Sequence, residues 1–187
     1  MQISMENMNN FKGKCLIAMP TMEDDVFAQS VIYITEHNAI SGAVGVIINK
    51  NLPDKKKHLS SNFDFSGYTN QWGSIPFCFG GPVELSCGFV LHQSINSHGL
   101  ALTGDRHKIH QLALDDQVKP WLLTAGYCMW ESFQLEREVR FNSWLVIDDC
   151  AKQLLHEFTP QNRYNEALKL AGIANLATFD FNGAGNA

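Results

Sequence analysis

Short apolar runs, each stopped by turn-forming residues, set the rhythm of this chain. Residues 14–19 (KCLIAM) form the first and end at Pro20. Residues 30–36 (SVIYITE) carry Val31-Ile32-Tyr33-Ile34, a β-branched and aromatic run that suits a pleated sheet surface. Residues 43–49 (AVGVIIN) follow after the turn-rich His37-Asn38-Ala39-Ile40-Ser41-Gly42, so the pair predicts a hairpin with a longer loop. Gly45 inside the second strand predicts a bulge or a close backbone approach. Further strands are predicted over 77–79, 87–92, 99–103, 121–128 and 144–147. Residues 52–75 are polar and turn-rich and read as a surface excursion.

Four stretches read as helices. Asp105 opens one through Leu114, with Ile109 and Leu112 on its apolar face. Ser132 is the expected N-cap of a second, running to about Phe141. In it, Leu135 and Val139 face inward, and Glu136 and Arg140 pair outside. A short apolar helix is expected near Leu154-Leu155. The last is framed by Thr159 as cap, Pro160 at the first position and Gly172 as stop, with Tyr164, Leu168 and Ala171 along one face. Strands and helices mix without a βαβ rhythm, which predicts an α+β fold. The length of 187 residues fits one domain over 1–187, its core at about 11–173 and a partly mobile tail from about 174.

Composition narrows the classes. The net charge is −5 and 18% of residues are charged, against about 25% in typical domains. A basic nucleic-acid binder and a disordered chain are both excluded. The run Lys55-Lys56-Lys57-His58 reads as a solvated loop. No stretch is apolar enough to cross a bilayer as a helix, and residues 1–14 carry no hydrophobic signal core. The five cysteines form no C-x-x-C pair and sit among apolar neighbours, so free buried thiols in a reducing cytoplasm are expected.

The chemistry-bearing motifs are weak. Phosphate loop, dinucleotide fingerprint, zinc-protease and nucleophile-elbow patterns are absent. His107-x-x-His110 lies on a predicted helix with no third ligand nearby, so no metal and no cofactor is expected. Glu36-His37 closes a strand and could form a proton shuttle, although neighbours on a strand point to opposite faces. Gly80-Gly81-Pro82 could open backbone amides to an anion, or simply make a tight turn. His92 follows an apolar run and could be a satisfied core histidine. Trp130-Glu131 before Gln134-Leu135-Glu136 gathers polar groups beside an aromatic ring and is a candidate pocket wall.

Together these residues form a known pattern. Leu16-Ile17-Ala18-Met19-Pro20, Ser30 to Asn38, and Gly42 to Asn49-Lys50 are followed by Gly80-Gly81-Pro82 and Gly88-Phe89-Val90-Leu91-His92. Gly126-Tyr127, Trp130, Gln134-Leu135-Glu136, Asn142 with Trp144-Leu145, and Ala167-x-x-Leu170-x-Gly172-Ile173 complete it. In these stretches the chain resembles the YqgE/AlgH family of uncharacterised bacterial proteins. The resemblance implies a bifurcated, mostly antiparallel sheet folded as a pseudo-barrel with flanking helices. It brings no established reaction or catalytic residue; members are often labelled transcriptional regulators.

The combined expectation is a cytoplasmic protein that binds a protein or small-molecule partner and acts only indirectly on transcription. Direct DNA binding is not expected, because the Arg137/Arg140 helix also carries Glu136 and Glu138. The alternative is an enzyme whose site is walled by Glu36, His37, His92, Trp130, Glu131 and Glu136 from distant parts of the chain.

Overall fold

The computed structural model describes residues 10–52, 72, 75–94, 98–115, 117–148 and 150–173. Eight strands are seen among them: β1 (Cys15–Ala18), β2 (Val31–Asn38), β3 (Gly42–Ile47), β4 (Phe77–Phe79), β5 (Val83–Gln93), β6 (Leu100–Thr103), β7 (Pro120–Trp130) and β8 (Trp144–Ile147). Four helices accompany them: α1 (Arg106–Ala113), α2 (Gln134–Arg140), α3 (Ala151–Glu157) and α4 (Pro160–Leu170). The expected α+β character holds. The run Lys55-Lys56-Lys57-His58 and the tail from 174 lie outside the described residues.

The apolar runs are continuous rather than alternating because the sheet is buried on both faces. All four residues of β1 are buried. Cys15 and Ile17 join Val31 and Tyr33 in one cluster, against Leu154, Tyr164 and Leu168 of α3 and α4. Leu16 and Ala18 join Ile32 and Ile34 in the opposite cluster, with Leu135 of α2 and both Trp130 and Trp144. A smaller cluster packs Ile109 and Ala113 of α1 on Val90 and Leu123.

One expectation is corrected here. The strand order is β6-β5-β7-β3-β2-β1-β8, with β4 pairing off this path to β7, so the sheet is open and forms no barrel. β6 and β8 are the two ends of this path and do not pair with each other. The β6 edge meets β2 through a side chain instead: the Leu100 N–H donates to the Tyr33 hydroxyl oxygen at 2.9 Å. Closure would need a backbone ladder between the edges.

β7 is the spine. Its Leu123–Ala125 stretch lies parallel to β4, whereas Cys128 to Trp130 pair antiparallel with β3. The exchange of partners happens at Gly126, where φ is +71°. A Cβ on Gly80 would stand 2.3 Å from the Gly126 carbonyl oxygen, and one on Gly126 would stand 2.4 Å from that of Gly81. Only glycines permit this approach. The β2–β3 register shifts between Ile34 and Glu36, opposite Gly45, as the glycine in that strand predicts. The connecting turn is tight, since Asn38 already pairs with Gly42.

α2 departs from the expected start. Ser132 does not cap it; the residue before the helix is Phe133, in the left-handed region at φ 57°. The Ser132 hydroxyl and the Phe133 N–H both donate to the Ala39 carbonyl in the β2–β3 turn, at 3.3 and 2.9 Å. A tertiary acceptor has outcompeted the local cap. α4 follows its sequence signals, with Pro160 at its first turn and Gly172 beyond its end at φ +83°.

Candidate functional site

Pinned to the hairpin turn, α2 presents Glu136 to β2. The His37 Nε2 lies 2.9 Å from Glu136 Oε1, with the two side chains only 3% and 13% exposed. Glu136 therefore faces inward, not outward toward Arg140. On the other side of the ring, Nδ1 accepts from the Phe11 N–H at 3.2 Å, which leaves Nε2 as the donor to the carboxylate. Phe11 also sets its ring edge-on to the imidazole, 4.9 Å between centroids. Glu36 points elsewhere and pairs with Lys12 at 2.7 Å on the surface.

Two residues further along α2 stands Glu138, which the sequence marked only as an acidic residue beside the helix arginines. Glu138 Oε2 accepts from the indole N–H of Trp130 at 2.9 Å and from that of Trp144 at 2.8 Å. Its Oε1 accepts from Gln134 Nε2 at 2.9 Å. Gln134 in turn accepts from the Glu131 N–H through its Oε1. The two buried tryptophans meet edge-to-face, 6.2 Å between centroids. Asn142 is exposed at φ 57°, and its N–H donates to the Val139 carbonyl where α2 ends. No local pattern reveals Glu138, because its indole donors come from β7 and β8.

The other candidates are engaged in the framework. His92 is buried in β5, with Nδ1 2.9 Å from the Gln93 carbonyl and Nε2 2.8 Å from the Thr103 hydroxyl. Burial lowers its pKa below the ordinary histidine value, against a smaller upward effect of the Gln93 bond. Asn49 accepts from the Val31 N–H and donates to the Gln29 carbonyl, tying β3 to the entry of β2. Lys50 donates to the Val26 carbonyl, and burial lowers its pKa against the opposing charge of Asp24. The Gly80 N–H is spent on Ala125 and its carbonyl on Ile47 and the Cys128 thiol. Gly80-Gly81, leading into Pro82, thus forms the branch of the sheet. His107 and His110 sit exposed on α1.

The six proposed wall residues do not come together in one hollow. His37 meets Glu136, Trp130 turns to Glu138, and His92 bonds Thr103. A larger concavity opens elsewhere. A cleft of about 680 Å³ lies at the start of β1, between β6 and α3. Lys12, Lys14 and Lys152 line it together with Asp148, over Tyr33 and Leu100. Lys14 pairs with Asp148 at 3.0 Å, and the Lys152 ammonium donates to the His98 carbonyl. A second cleft of about 390 Å³ adjoins it, sharing Lys14 and Asp148 and reaching Glu136 and Arg140. The larger cleft was not legible because its lysines come from opposite ends of the chain. The cysteines also need one correction: four are buried, but Cys87 is exposed.

Residues 15–175 match the family model described as DUF179: AlgH-like. The chain belongs to the UPF0301/YqgE/AlgH family. A UPF0301 protein of Dechloromonas aromatica is 34% identical over 91% of this chain and 94% of its own length. A UPF0301 protein of Bordetella petrii is 36% identical over 88% of this chain and 84% of its own. The solution structure of the AlgH protein from Pseudomonas aeruginosa covers all of both chains at 30% identity, with a TM-score of 0.64. A protein of Corynebacterium diphtheriae, 17% identical over 89% of this chain and 90% of its own, shares the fold with a TM-score of 0.61. The UPF0301/AlgH family is uncharacterised, and none of these names states a reaction. Among the described residues of this member, no helix is long and apolar enough to cross a membrane.

Proposed function

We propose that this protein works by binding rather than by catalysis, in the cytoplasm, and that any influence on transcription is indirect. The observation that carries this reading is the lysine-lined cleft of about 680 Å³, well within the ~300–1,000 Å³ range of small-molecule sites. The histidines support it. A general base needs a ring nitrogen within reach of substrate. Both nitrogens of His37 are held by Phe11 and Glu136, and both of His92 by Gln93 and Thr103. A net charge of −5 and the acidic residues interleaved on α2 disfavour direct contact with a DNA backbone.

The test is a thermal-shift screen of the full chain against a broad metabolite library, with mass spectrometry of each hit after incubation. The expected result is at least one stabilising compound recovered chemically unchanged. Conversion of a hit would overturn the reading, and so would a screen with no stabilising compound. A duplex-DNA mobility shift that weakens steeply with salt would overturn the indirect role.

A further inference from the structure

The larger cleft has a chemistry of its own, and the following step rests on the binding role proposed above. We propose that the cleft takes a small organic phosphate monoester, with Lys12, Lys14 and Lys152 around the phosphate and the organic body on Tyr33 and Leu100.

Three lysines and one aspartate line the cleft, and Lys12 carries Glu36 as its partner from outside that lining. The surplus is one positive charge with Glu36 in place and two once a phosphate displaces it, which matches a dianion. The pairs that occupy two of these lysines are weakly held. Lys14 and Asp148 are 36% and 79% exposed, and Lys12 and Glu36 are 50% and 68% exposed. Exposed pairs of this kind contribute little, so exchange of their carboxylates for a phosphate costs little. Among the described residues Lys152 has no carboxylate partner; its ammonium rests on the His98 carbonyl.

A phosphate monoester offers three terminal oxygens, and lysines bind phosphate as point charges without the planar fork an arginine would impose. Inorganic phosphate would leave most of the volume empty. Tyr33 and Leu100 line the base of the cleft and are each 4% exposed, so they close it from below. The Tyr33 hydroxyl holds the Leu100 N–H, so that base joins β2 to β6 as one rigid surface.

Gly13 at φ +84° turns the chain between the two lysines, and a Cβ there would meet only the Tyr33 hydroxyl, at 4.0 Å. This opening is built by the segment that enters β1 together with β2, β6 and α3, and it shares no residue with the Glu138–tryptophan cluster.

Adenosine monophosphate is the probe, compared with adenosine, inorganic phosphate and citrate by calorimetry at low salt. Adenosine monophosphate is expected to bind best of the four, and to weaken as salt is raised. Lys14→Ala and Lys152→Ala should each weaken it by about two- to fivefold, the loss of one exposed charge contact. Their unchanged melting temperatures without ligand would show that both fold. Arg140→Gln, in the neighbouring cleft, should leave the affinity unaltered.

Equal binding of adenosine and its monophosphate would overturn the proposal. So would affinity untouched by either lysine variant, or lost in Arg140→Gln. Tighter binding of citrate would assign the cleft to polycarboxylates and leave the binding role standing. Neutral or cationic hits from the library, with none of these anions bound, would likewise sink this inference alone. Silence in both experiments would sink both.

Discussion

Removing the carboxylate of Glu138 should cost the protein a large share of its stability. Trp130 and Trp144 are each only 4% exposed, and both indole N–H groups end on one oxygen of this residue. Glu138→Ala strands both donors. A buried donor left unpaired costs about 1–3 kcal/mol. Glu138 itself is half-buried, so water can enter the space and relieve part of that. The Gln134 amide, also half-buried, can turn to solvent. The helix gains a few tenths of a kcal/mol from alanine. The net expectation is a loss of about 2–4 kcal/mol, against a total of roughly 5–15 kcal/mol for a typical domain. Urea unfolding followed by tryptophan fluorescence measures it, and the native emission should shift to the red as water reaches the indoles. Glu138→Gln keeps an acceptor for the indoles but sets an NH2 against Gln134, so it should lose less. A Glu138→Ala protein within about 0.5 kcal/mol of wild type, the scatter of neutral surface changes, and with unshifted emission, would refute the reasoning.

Three further outcomes follow from buried polar groups. Arg163 is 4% exposed and donates to the carbonyls of Leu154, Leu155, Phe158 and Ile48; Arg163→Met should cost about 2–4 kcal/mol in chemical denaturation, and Arg163→Lys should recover only part, since one ammonium cannot span those acceptors. His92 has its pKa lowered below 6.5 by burial, so the unfolded chain takes up the proton first; stability should fall as pH drops through about 6.5 toward the folded value, and His92→Gln should flatten that slope in unfolding measured from pH 7 to 5. Native thiol titration should find Cys87 reactive and the other four cysteines protected until denaturant is added, because burial pushes Cys78 up to about 11 and raises Cys128 as well.

How far the sequence could be read depended on whether a feature was local. β1 and β2 were legible because Leu16-Ile17 and Val31 to Ile34 are buried on both faces of the sheet, which writes an unbroken apolar run. α4 was legible because proline at its start and glycine past its end act through their own backbones. Ser132 misled because the Ala39 carbonyl, far away in sequence, captured the hydroxyl that the local rule assigns to a cap. Barrel closure failed for a related reason: whether β6 reaches β8 depends on the arrangement of all the strands, and here Tyr33 meets the β6 edge instead. Of the candidate site, the His37–Glu136 contact joins two residues the sequence singled out, but Glu138 and the lysine cleft did not show. Glu138 reads as a surface charge until β7 and β8 bring the indoles, and Lys12, Lys14 and Lys152 meet only when α3 packs beside β1.

The central claim is that the cleft at the start of β1 is where this protein meets its ligand. Amide chemical-shift mapping of the nitrogen-15-labelled full chain, titrated with adenosine monophosphate, tests it most directly. The account predicts the largest changes at Gly13, Lys14, Gly99, Leu100, Ala151 and Lys152, all on the wall of that cleft. Changes centred on the Gly80–Gly126 branch or on the His37–Glu136 pair, or a spectrum that does not move, would contradict it.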